Sequence, residues 1–230
     1  RINMISTVLR RRLVILVLVI LLIWQLLRYL PDFFSPEIVL RPSDAPVLVM
    51  VFYEALCPDS KNFILKQLQP AYEKAPDLIE IQFVPYGKAT MHVNPDGSLT
   101  FECQHGVLEC QANMYHACAI EAVEDAKLRL DIISCMIRDN HNPKEAMQRC
   151  IREYKVETGE LIQKCFDSPH GAELLKLHGE ATSALRPAVS FIPTITLDGS
   201  QGRQASILKD FFGEVCKVIA GRGPVPNICP

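Results

Sequence analysis

In "FYEALCPDSKNF" (Phe52–Phe63), a cysteine directly before a proline stands where a continuous apolar run gives way to a helical pattern. A cysteine at a helix start lies beside unpaired backbone N–H groups and the positive end of the helix dipole, and both favour thiolate over thiol. The thiolate is the species that attacks disulfides, so Cys57 is a candidate nucleophile. Pro58 removes one N–H donor but fixes the first helical turn. Asp59 suits a helix start yet repels a thiolate, while Ser60 can offer its hydroxyl to the sulfur. A dithiol redox site would carry a second cysteine at position 60, where this chain has serine. The first attack survives that change and the intramolecular release of the mixed disulfide does not. Release then needs an external thiol, such as glutathione or free cysteine, or another cysteine brought close. The plainer reading of Cys57 is half of a structural bridge or an inert buried thiol.

The elements that must position this turn can be read from periodicity. "PVLVMVFY" (Pro46–Tyr53) has the unbroken β-branched and aromatic character of a strand buried on both faces. Ile64, Leu68 and Tyr72 share one face of the helix that follows, and Pro70 is expected to bend or end it. Alternation in "LIEIQFVPYG" marks a second strand, and "NPDGS" (Asn94–Ser98) a turn joining a short hairpin. Residues 103–185 read as a cysteine-studded helical insertion, broken near "DNHNP" and "DSPHG". A last strand in "SFIPTITLDG" precedes one final helix with Leu208, Phe211, Phe212, Val215 and Ile219 on its apolar side. The order is strand–helix–strand, helical insertion, strand–helix, an α/β arrangement. In a thioredoxin-like fold a cis proline stands opposite the redox cysteine and leaves backbone groups free to pair with an extended substrate. Ile192 and Pro193 fit that place and, with Pro58, form the candidate substrate-binding set; only an X–Pro bond adopts cis at little cost.

Composition bounds the compartment and the partners. The 230 residues carry a net charge of −2, which gives no reason to expect nucleic acid. Nine cysteines are many for a reducing compartment, and the odd count leaves one thiol free if the others pair. Arg10, Arg11 and Arg12 precede an apolar run from Leu13 to Trp24 that reaches Leu27 after Gln25. Such a segment reads as a secretory signal or signal anchor over residues 1–30. The absence of a small-residue cleavage site in "WQLLRYLPDFF" favours an uncleaved membrane anchor, with a cleaved signal as the alternative. Residues 31–45, with three prolines in "PDFFSPEIVLRPSDA", read as a linker to a domain spanning 46–230. Either way the domain faces the lumen or exterior, where disulfides persist.

"CQHGVLECQANMYHAC" (Cys103–Cys118) groups cysteines with His105 and His116. The spacing does not match the usual zinc patterns, so no metal is expected and bridges are. The segment fits, position for position, the signature C-Q-H-G-x-x-E-C-x-x-N-x-x-x-x-C: Cys103, Gln104, His105, Gly106, Glu109, Cys110, Asn113 and Cys118 fill every fixed place. In this the chain resembles the gamma-interferon-inducible lysosomal thiol reductase family. The resemblance continues through "VPYGKA", "IPTI" and "NICP" and covers about residues 46–230. It implies a thioredoxin-like domain with a helical insertion that reduces protein disulfides in acidic endolysosomal compartments, without a bound cofactor. The family's redox motif is C-x-x-C; its first cysteine falls on Cys57 and its second on Ser60, where this chain departs. Members routed to lysosomes through N-linked sugars carry Asn-x-Ser/Thr sequons, and none occurs here. The remaining cysteines, Cys103, Cys110, Cys118, Cys135, Cys150, Cys165, Cys216 and Cys229, are expected in four bridges. Gly221, Gly223 and the neighbouring prolines let the tail fold back to pair Cys216 with Cys229; eight cysteines allow 105 connectivities, so the others stay open.

Overall fold

The computed structural model describes residues 2–29 and 45–230. The chain divides into two units, residues 1–42 and 43–230. In the first, helix α1 spans Ile2–Tyr29. Among the described residues no helix is long and apolar enough to cross a membrane, so the expected membrane anchor is not supported. The uninterrupted apolar run ends at Trp24, short of the roughly 20 residues a bilayer core needs. Residues 31–44 of the expected linker lie outside the described residues.

The second unit is built on a three-stranded sheet in the order β2–β1–β5. Strand β1 (Val47–Tyr53) lies in the middle, parallel to β2 (Ile79–Pro85) and antiparallel to β5 (Thr194–Leu197). Its apolar run is what a central strand requires: Val47, Val49, Val51 and Tyr53 are wholly buried on one face and Phe52 nearly so on the other. A parallel β1–β2 pair demands a crossover, supplied by α2 (Pro58–Phe63), a wide π turn over Ile64–Leu68, and α3 (Gln69–Lys74). Pro70 neither ends nor breaks the helix. The widened turn, in which Gln69 N–H reaches back to the Ile64 carbonyl, absorbs the proline's missing donor and bulk. Phe63, Ile64 and Leu68 from this crossover enter the core, where Phe63 meets Phe211 edge-on at 5.5 Å.

The hairpin of β3 (Thr90–Val93) and β4 (Leu99–Glu102) turns through Asn94–Ser98, where the Asp96 carboxylate accepts from Ser98 N–H at 2.9 Å. The insertion consists of α4 (Val107–Ala122), α5 (Ala126–Arg138), α6 (Pro143–Glu153), α7 (Gly159–Phe166) and α8 (Pro169–Ala184). Its breaks have local causes. Asn142 caps α6 and Ser168 caps α8, each followed by a proline at the first helical position. The C-terminal segment differs from the single helix that its apolar spacing predicts: it forms α9 (Gln204–Lys209) and α10 (Phe211–Ala220). Asp210 divides them, since its carboxylate accepts from Gly213 N–H and starts a new helix there.

Four disulfides fasten the helical insertion and the C-terminal tail. Cys118–Cys165 ties α4 to α7, Cys135–Cys150 ties α5 to α6, Cys103–Cys110 closes the loop entering α4, and Cys216–Cys229 holds the tail on α10. Cys57 is the free cysteine.

Candidate active site

Cys57 occupies the N-cap of α2 with extended backbone, and Pro58 is the first helical residue. Its thiol is buried, with 8% of the residue exposed. Across from it the Ile192–Pro193 peptide is cis, and the Ile192 carbonyl lies 3.9 Å from Cys57 Sγ. Local sequence explains both halves. The β1 run ends at the polar Glu54, the chain turns, and Cys57 N–H donates to the Glu54 carbonyl at 3.2 Å before α2 begins. On the other side Thr194 Oγ1 donates to the Phe191 carbonyl at 2.7 Å, fixing the loop that leads into β5. Beside the thiol, Asp59, Asn62, Phe63, Phe191, Pro193 and Leu208 line a cavity of about 260 Å³. Phe191 stands exposed at its edge. A larger, open cavity of about 520 Å³ lies at the α4–α5 and α6–α7 turns and is lined by neither cysteine nor histidine.

Ser60 is fully buried, and its Oγ accepts a hydrogen bond from Glu54 N–H at 3.3 Å. The Ser60 oxygen thus braces the backbone of the turn as an acceptor. The turn between β1 and α2 brings the Glu54 N–H, which has left the sheet, onto Ser60.

The cysteines of the signature are committed to bridges, and the two histidines of the segment part company. His116 is 1% exposed and shares a 2.8 Å hydrogen bond with the Tyr53 hydroxyl. His105 stands at the surface of the cluster, with its Nδ1 2.6 Å from Glu109 Oε2 and 3.6 Å from Glu54 Oε2. Asn113 Oδ1 accepts from Ala55 N–H at 2.8 Å, and Asn140 Nδ2 donates to the Ala55 carbonyl. Sequence reading missed Glu54 and Asn140. A lone carboxylate at the end of an apolar strand run is a signal for Glu54; nothing in the sequence marks Asn140.

Burial pushes His116 down to about 3, below the ordinary value near 6.5. Between those values the unfolded chain binds the extra proton, so the stability held by neutral His116 is present above about pH 6.5 and is lost as pH falls toward 3. Acidification from pH 7 to pH 5 is expected to remove up to about 2 kcal/mol through this group. Comparing urea midpoints of wild type and His116→Gln at both pH values checks it: the acid loss should shrink in the variant. An equal loss in both proteins would refute the assignment.

With this geometry in place, likeness to known proteins is informative. Residues 48–154 match the profile of the family described as "Gamma interferon inducible lysosomal thiol reductase (GILT)". The chain is 33% identical over 202 residues to GILT-like protein 1 of Drosophila melanogaster, covering 81% of this chain and 80% of that one. It is 32% identical over 183 residues to the gamma-interferon-inducible lysosomal thiol reductase of Carassius auratus, covering 78% and 71%. Among solved structures, the thiol-disulfide oxidoreductase MdbA of Actinomyces oris superposes with a TM-score of 0.55 at 12% identity, covering 80% of this chain and 83% of that one. BdbD of Bacillus subtilis does so with 0.53 at 16%, covering 78% and 88%. These establish the thioredoxin-like fold expected from the strand–helix order. The extent and identity of the sequence matches establish kinship as well: the chain belongs to the gamma-interferon-inducible lysosomal thiol reductase family.

Proposed function

We propose that this protein is a thiol–disulfide oxidoreductase that attacks protein disulfides through Cys57 alone and relies on an external thiol for release. The observation that supports it best is the free Cys57 at the start of α2, facing the Ile192 carbonyl before Pro193, while every other cysteine is bridged. The Cys57 thiolate attacks one sulfur of a substrate disulfide; a Cys57–substrate S–S bond forms, the substrate S–S bond breaks, and the departing thiolate takes up a proton. A small thiol such as glutathione attacks the Cys57 sulfur and frees the reduced substrate. A second attacks the resulting Cys57–glutathione disulfide, regenerating Cys57 and leaving oxidised glutathione. Two external thiols thus supply the two electrons, and no bound cofactor is needed. Ile192 and Pro193 suit the role of pairing with an extended client strand, and Pro58 that of shaping the opposite wall. The four disulfides and the names of the relatives favour the endolysosomal or secretory lumen, or the exterior.

Turnover of a fluorescent disulfide substrate with and without glutathione tests this. Without it, release should stop at one equivalent per Cys57; with it, release should continue. Equal progress in both conditions, or none in either, counts against the proposal. A second reading, a client-binding protein without turnover, is favoured by the buried, backbone-bound Ser60. It predicts a mixed disulfide that glutathione releases once and that never cycles.

A further inference from the structure

Three consecutive residues before the active-site cysteine are each held by a side chain from α4 or the loop entering it. Tyr53 bonds His116, Glu54 lies beside His105 and Glu109, and Ala55 N–H donates to Asn113. The middle contact is the most demanding. Glu54 is 1% exposed and Glu109 fully buried, and burying two neighbouring carboxylates is costly unless donors meet them. Glu109 receives His105 N–H at 3.1 Å and the His105 ring at 2.6 Å. Glu54 Oε1 receives Lys88 N–H at 2.8 Å, while its Oε2 has no hydrogen-bond partner and faces the His105 ring. The seat is built for this side chain: Gly87 has φ +60°, and a Cβ there would stand 2.2 Å from Glu54 Cγ. Through its main chain Glu54 is tied to both ends of the first turn of α2, accepting from Cys57 N–H and donating to Ser60 Oγ.

We infer that His105, Glu109 and Asn113 are positioning residues for Cys57, acting through Glu54 and Ala55; the inference rests on the thiol chemistry proposed above. Three of the signature residues outside the bridges thereby gain a shared task, fixing the nucleophile's turn from the helical insertion. Burial raises the proton affinity of Glu54, with the Lys88 N–H opposing, Glu109 adding, and the charges of His105 and Lys88 opposing. The donor atoms of Glu54, His105 and Glu109 lie within 4.8 Å of one another, a spacing a cation can use. The 2.6 Å separation of His105 Nδ1 and Glu109 Oε2 is that of a direct hydrogen bond and leaves no room for an ion between them.

The test follows Cys57 alkylation by iodoacetamide on the full chain from about pH 4.5 to about pH 8, a range spanning carboxyl groups of raised affinity. Wild type should show a step in rate above the ordinary carboxylate range. Glu54→Gln should lack that step, and His105→Gln should move it to higher pH. Asn113→Leu should slow alkylation about tenfold, the scale of one lost buried hydrogen bond. Rates in Glu54→Gln and His105→Gln that track wild type at every pH would overturn the inference, even if Asn113→Leu fails to fold. Chelation with EDTA should change nothing; loss of reactivity restored by zinc alone would assign the cluster to a cation and overturn it too. A wild type whose Cys57 reacts at no pH would instead remove the thiol reading beneath it.

Discussion

Ser60→Cys is expected to raise disulfide-reductase turnover by about 10–100-fold at millimolar glutathione, because an intramolecular thiol acts at high effective concentration. In wild type the mixed disulfide on Cys57 waits for a small thiol to reach a sulfur that is largely buried. A thiol one helical turn along the same short helix needs no such approach. In the absence of glutathione the variant should release one reduced substrate rapidly and stop, whereas wild type should accumulate the trapped complex. Cys57→Ser should abolish both trapping and turnover. The substitution has a structural cost, since sulfur is a weaker acceptor than oxygen and Glu54 N–H would lose a good partner. That cost should appear as a modestly lower urea midpoint, separable from the kinetic gain. Product formation by wild type, Ser60→Cys and Cys57→Ser at about pH 5 and about pH 7, with and without glutathione, decides the matter. If Ser60→Cys gains nothing and Cys57→Ser loses nothing, Cys57 is structural. A gain in Ser60→Cys over an inactive wild type would favour the client-binding reading.

What the sequence discloses about this site divides by distance along the chain. The strand ending at Tyr53, the proline-started helix and the Cys57 turn are local, and their apolar run and punctuation are read directly. The π turn before Pro70 and the split at Asp210 are also local, yet both depend on which backbone groups find partners. A π turn spares the first helix, and a new N-cap divides the last. The cradle around Glu54 and Ala55 is of another kind. Its members come from the β2–β3 connection, the start of α4 and the turn after α5, far apart in sequence and joined only by packing of the insertion. The signature spacing shows that His105, Glu109 and Asn113 lie close together in the chain at the start of the insertion. It cannot show that they face a backbone turn more than a strand and a hairpin away.

The same insertion carries the largest stability effect expected of the disulfides. In the chain-entropy account a bridge stabilises by restricting the unfolded chain, more so as its loop lengthens. Cys118–Cys165 closes a separation of 47 residues and Cys103–Cys110 one of 7, which corresponds to about 4 against about 2 kcal/mol. Replacing Cys118 and Cys165 together with alanine should therefore lower the unfolding free energy by roughly twice as much as replacing Cys103 and Cys110. Packing opposes the difference in part, because Tyr115 of α4 and Phe166 of α7 stack at 3.9 Å and keep the two helices together without the bridge. Packing also adds to it, because Cys118 is 1% exposed and its truncation leaves a void. Urea unfolding of the two double variants under non-reducing conditions measures the ratio; a larger loss for Cys103 and Cys110 would contradict the loop-length account. The kinetics of reduction should follow exposure rather than loop length. Cys103, Cys165 and Cys229 are each only half-buried, whereas Cys135 and Cys150 are both buried, so Cys135–Cys150 is the bridge a reducing thiol should reach last. Glutathione sufficient to cycle Cys57 should thus leave α5 fastened to α6, and with it the turn after α5 from which Asn140 donates to the Ala55 carbonyl.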